Sequence, residues 1–140
     1  IDIDVLASQA NENPVYYVQY AHARIASVGR EAGKRGIERR PLQPHSLELL
    51  THEREIEILR CLSSLPEIVE LAARDRAPHR LATWIREMAA AFHGFYHDCP
   101  VLRSDLEKDL QQARLWLVEA SRVGFAVSLD LLGIEAPEQM

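Results

Sequence analysis

The chain has 140 residues, 47% of them apolar, and carries a formal charge of −5 from 16 basic and 21 acidic side chains. That size and apolar content suit one domain, residues 1–140, with a continuous core that needs neither disulfide nor metal staples. An acidic balance argues against gripping nucleic acid by phosphate neutralisation alone, Cys61 and Cys99 lack disulfide or metal spacing, and no apolar run approaches the roughly 18 residues of a membrane span.

Gly and Pro fall at segment edges, β-branched alternation is nearly absent, and Ala, Leu, Glu and Arg dominate, so the fold class is all-α, a helical bundle. The opening Asp2–Ser8 stretch, behind Ile1 rather than a methionine, reads as the continuation of a longer chain. Pro14 is suited to a first helical position and predicts a helix to about Ala32, ended by Gly33. Gly33–His45, with Gly36, Pro41 and Pro44, reads as a basic loop. Residues 1–45 carry a net +1 and the remainder −6, so the positive charge gathers just behind the first helix.

Thr51 is the expected cap of a second helix reaching about Leu62, with Glu53 and Glu55 favouring its positive end. Pro66 is expected to open a third helix, and Pro78 a fourth that reaches about His97 before Asp98-Cys99-Pro100. Ser104 and Glu107 have capping-box spacing for a last helix that stops at Gly133. Within it Leu106, Leu110, Ala113, Leu117, Ala120, Gly124, Val127 and Leu131 form a ladder expected to be its packing seam. The Glu135–Met140 tail is too short for an element.

Tyr16, Tyr20 and Arg24 stand at i, i+4 and i+8 and share a helix face, with Ser27 and Arg30 continuing around it. Rings followed by guanidinium groups can stack unpaired bases and meet phosphates, the way RNA loops are read. Spacing alone leaves the alternative open that these rings pack on a neighbouring helix, or that the face docks a protein partner. Phe92-His93-Gly94-Phe95-Tyr96-His97 forms a second aromatic cluster, in which Phe92 and Phe95 fill core. His93 and His97 are four apart, but no third ligand accompanies them and a metal site is not expected. The pairs Glu53/Glu57 and Glu67/Glu70 read as solvated faces. No glycine-rich phosphate loop or nucleophile motif is present, so catalysis is not expected from these residues.

Three blocks carry a likeness to a known family. They are Asn11-Glu12-Asn13-Pro14 into Tyr16-Val18-Gln19-Tyr20-Ala21-His22-Arg24, then Pro78–Thr83 with Phe92–Cys99, then Ala113-Arg114-Leu115 through Leu129–Gly133 to Met140. Together they resemble the C-terminal anticodon-binding (DALR-type) domain of arginyl-tRNA synthetases over nearly the whole chain. The resemblance implies an α-helical domain that binds the anticodon stem and loop of tRNA-Arg and recognises its middle cytosine. It implies tRNA contacts at Tyr16, Tyr20, Arg24, Arg30 and Tyr96, with Met140 packing near the loop. Aminoacylation with ATP and Mg would belong to a separate catalytic domain of the same enzyme, absent here, so this fragment itself holds no cofactor. A cytoplasmic, monomeric protein with no membrane association is the matching expectation. The chain departs from the family pattern at Pro100, where some relatives carry a larger residue, and at Gln139, where arginine is common.

Overall fold

The computed structural model describes residues 14–133. Helix α1 spans Pro14–Lys34, a short 3₁₀ turn spans Ser46–Leu49, α2 spans Glu53–Arg74, α3 spans Pro78–Asp98 and α4 spans Lys108–Leu132. No strand occurs among the described residues, and no helix among them is long and apolar enough to cross a membrane. The all-α bundle expected from composition is what forms.

The core lies along α3, whose Leu81, Trp84, Ile85, Met88, Phe92 and Phe95 are buried at three- and four-residue spacing. Phe92 meets Phe95 and, edge to face, Phe125 of α4. Helix α1 adds Val18, Ala21, Ile25, Val28 and Ala32 on one stripe. That leaves the opposite stripe of α1, with Tyr16, Tyr20 and Arg24, outside the apolar core.

Four boundaries differ from the sequence expectation, each for a physical reason. Helix α1 passes through Gly33 and ends at Gly36, whose φ of 70 supplies the left-handed turn. There Ile37 N donates to Ala32 O at 2.8 Å and Gly36 N to Gly33 O at 3.2 Å, the paired bonds of a Schellman ending. Helix α2 is capped by His52 rather than Thr51: its Nδ1 accepts from Arg54 N, while Glu55 reaches back to His52 N at 2.9 Å. Pro66 does not open a new helix, because α2 runs unbroken past it to Arg74. Proline removes the ladder bond to Leu62 O and crowds the preceding turn, where side chains add bonds to the neighbouring carbonyls. Ser63 Oγ donates to Arg60 O, and Ser64 Oγ and Trp84 Nε1 both donate to Cys61 O at 2.8 Å. Leu62, Leu65, Ile68, Val69 and Ala72 pack on the core across the proline, and that burial outweighs its helix-breaking cost.

Helix α4 starts at Lys108 with Glu107 itself as the cap, accepting from Asp109 N and Leu110 N at 3.1 and 3.0 Å; Ser104 takes no part. It ends at Gly133 as expected, with φ 71. The proposed seam holds for Ala113, Leu117 and Gly124 but fails for Ala120, Val127 and Leu131, which are exposed. Ser121, Phe125, Ser128 and Leu129 are buried instead. A strict seven-residue repeat drifts by about 20° per heptad on a straight helix, which carries Ala120 and Val127 past Ala113 and off the core; Leu131, in register with Ala113, lies in the last turn of α4.

Candidate nucleic-acid interface

Tyr20 and Arg24, one turn apart on α1, meet His93 and Tyr96 of α3. The Arg24 guanidinium carbon lies 4.9 Å from the centre of the Tyr20 ring and 4.2 Å from that of Tyr96. Its Nη2 donates to the Tyr20 hydroxyl at 3.3 Å and its Nη1 approaches His93 Nδ1 at 3.1 Å. The cation is thus held by two rings and two polar atoms, a cation–π arrangement in which Arg cannot be exchanged for Lys without losing the planar fork.

His93 makes this possible by staying neutral. Burial holds its pKa down at about 4; a hydrogen bond to the Tyr17 carbonyl opposes that and the charge of Arg24 adds to it. Arg24 can only donate, so Nδ1 must be the accepting nitrogen and the proton sits on Nε2. Nε2 then donates to Tyr17 O at 3.4 Å. The imidazole stacks on Tyr20 at 5.6 Å and 25°, and tilts against Tyr17 at 4.7 Å. Burial also raises the Tyr17 hydroxyl, with Arg24 partly offsetting it.

Tyr16 and Tyr96 are each 41% exposed, and Tyr20 and Arg24 are half-buried, so the rings are not sealed in the bundle. Below Tyr96 opens a cavity of about 370 Å³ walled by Ser27, Val28 and Glu31 of α1 and by Cys99–Leu102. Glu31 is held at 3.1 Å by Arg35 on the cavity rim. The residues that serve this side are therefore Tyr20, Arg24, Ser27 and Glu31 of α1 and Arg35 just beyond its end. Arg30 falls elsewhere: it borders a larger groove of about 900 Å³ between α1 and α4, with Arg39, Trp116 and Glu119. Met140 lies outside the described residues.

Sequence reasoning named Tyr20, Arg24, Tyr96 and Ser27 but missed His93 as the partner of Arg24, and also Glu31 and Arg35. The three- and four-residue spacing continuing from Arg24 is the signal for Glu31 and Arg35; nothing local signals a contact 69 residues away. His93 has both ring nitrogens engaged and His97 bonds Asp98 at 2.7 Å, so the two do not converge. No group of three or more His, Cys, Asp or Glu suited to a metal occurs among the described residues.

The sequence profile of the DALR anticodon binding domain matches residues 18–140. The chain is 44% identical over 139 residues to the arginine–tRNA ligase of Carboxydothermus hydrogenoformans and 46% identical to that of Moorella thermoacetica, in each case over 99% of its length. It covers 25% and 24% of those two proteins, about a quarter of their length. The solved arginyl-tRNA synthetase of Thermus thermophilus superposes on 89% of the chain with a TM-score of 0.67 and 34% identity, the match covering 21% of that protein.

Proposed function

The chain belongs to the DALR anticodon binding domain family, and from that premise we propose that its Tyr20, Arg24 and Tyr96 face holds the anticodon loop of an arginine tRNA. The chain would act as the RNA-reading part of a cytoplasmic, monomeric arginine–tRNA ligase. The observation that carries the reading is the guanidinium of Arg24 fixed between two tyrosine rings and anchored by a neutral histidine. Its charge can meet a phosphate or a base acceptor, while the exposed parts of the rings offer stacking surface.

The cavity beside Tyr96 suits one unstacked base. Glu31 and Ser27 at its wall provide acceptors, and a carboxylate accepts from an exocyclic amino group such as cytosine N4. This supports recognition of a middle cytosine. Specificity then comes from shape and hydrogen bonds rather than from net charge, consistent with −5 overall. ATP and Mg would serve the catalytic domain of the whole enzyme, which joins arginine to the tRNA bound here.

The test is NMR mapping with an RNA hairpin carrying the arginine anticodon stem and loop. Signals of Tyr20, Arg24 Nε and Tyr96 are expected to shift on binding, with those of Trp116 in the opposite groove unmoved. Shifts confined to the Trp116 groove would overturn the assignment.

A further inference from the structure

After α3 ends, the backbone of Pro100–Leu102 forms one wall of the cavity beside Tyr96. Three consecutive carbonyls there each receive a side-chain donor, two from α4 and one from Arg35 just beyond α1. Arg114 Nη1 donates to Pro100 O at 2.8 Å, Gln111 Nε2 to Val101 O at 2.9 Å, and Arg35 Nη1 to Leu102 O at 3.0 Å. Val101 is buried and Pro100 and Leu102 are half-buried, so these carbonyls need protein partners, and the donors from α4 and from Arg35 just beyond α1 fix this segment's path. Arg114 is itself fixed, its Nε bonded to Glu55 Oε2 at 2.7 Å, with the two side chains only 9% and 1% exposed.

A buried ion pair is poorly explained by stability, since well-packed apolar side chains can often replace one without loss. An apolar residue at 114 could not, however, supply a donor to Pro100 O. The same guanidinium that neutralises Glu55 on α2 therefore ties the packing of α2 and α4 to the wall of the cavity. Neither Arg114 nor Gln111 lines that cavity, so both act at one remove from it.

We propose that the Glu55–Arg114 pair and Gln111 are positioning residues that preset the Pro100–Leu102 wall and so set discrimination among anticodon bases. The inference rests on the RNA-binding reading above. A preset wall favours the base that fits it and spares the cost of ordering the loop on binding.

The test compares the 140-residue chain with Arg114→Lys and Gln111→Leu. The lysine keeps a positive charge opposite Glu55 but cannot fork to two acceptors, and the leucine removes the donor at a half-buried site while keeping volume. Each is titrated with arginine tRNA and with the same tRNA changed at the middle anticodon base, alongside amide hydrogen exchange. Both variants are expected to keep the wild-type salt slope, yet their affinity ratio for the two tRNAs falls by about fivefold or more. Amide exchange at Val101–Arg103 is expected to quicken by about tenfold. A merely structural role would lower the melting temperature and leave the ratio alone. If Arg114→Lys does not fold, Gln111→Leu decides. Folded variants that keep the wild-type ratio overturn the proposal but leave the binding reading standing; a wild-type chain that does not distinguish the two tRNAs overturns both.

Discussion

Acidifying the protein from pH 7 to pH 5 should weaken it through His93, and the sign follows from the site. His93 is held near 4 by burial, then by Arg24 against the Tyr17 bond, whereas in the unfolded chain it returns to the ordinary value of about 6.5. Between those two values the unfolded chain binds a proton that the folded one refuses, so stability falls as pH falls and is fully present above the unfolded value. The full gap of roughly two and a half units corresponds to at most about 3 kcal/mol, of which about 2 kcal/mol is lost between pH 7 and pH 5. The assay is urea unfolding followed by tryptophan fluorescence at half-unit pH steps, on the wild type and on His93→Gln. Glutamine does not titrate, so the difference between the two curves isolates His93 from the other histidines. Asp98 and Glu119 are held below the usual carboxylate range, Asp98 by His97 and Arg54 and Glu119 by Arg122 and Arg39, so their losses come at lower pH. Equal slopes in the two proteins, or an NMR titration placing His93 near 6.5, would refute the neutral-acceptor geometry.

Arg24→Ala should weaken binding of the cognate anticodon loop by about 1 to 3 kcal/mol, and Arg24→Lys should recover little of it, because a point charge replaces neither the ring sandwich nor the fork to His93 and Tyr20; filter binding at fixed salt measures both. Glu55→Ala should cost about 3 to 5 kcal/mol in urea unfolding by stranding the buried Arg114 guanidinium, and a loss below about 1 kcal/mol would mean the pair is solvated. Arg76, with φ 50, is the one non-glycine residue with positive φ among those described. Arg76→Gly should therefore raise stability by a few tenths to about 1 kcal/mol, since relief of left-handed strain exceeds the entropy of an added glycine; a lower denaturation midpoint would contradict this.

The parts of the fold that were legible from sequence are those where one signal acts unopposed. Pro78 at the start of α3 and Gly133 at the end of α4 each mark a backbone need that no tertiary contact disputes. Pro66 suggests a helix start that the structure lacks because its local cost is set against a long apolar face, Leu62, Leu65, Ile68, Val69 and Ala72, packed on the core from both sides of it. Gly33 and Gly36 compete for one helix ending, and the deciding bond, Ile37 N to Ala32 O, involves a residue beyond both. At the site, Tyr20 and Arg24 were readable from four-residue spacing. Arg30, which sequence places on the same side, faces the groove shared with α4. His93, half-buried against α1 and hydrogen-bonded to Arg24, has no local signal, because its role exists only once α1 and α3 pack.

Anticodon reading by the Tyr20, Arg24 and Tyr96 face is tested by titrating the 140-residue chain with arginine tRNA and with the same tRNA altered only at the middle anticodon base. Saturable binding of the first is expected, with a loss of about 1 to 3 kcal/mol for the second. Equal affinity for the two, or no binding of either, would contradict it.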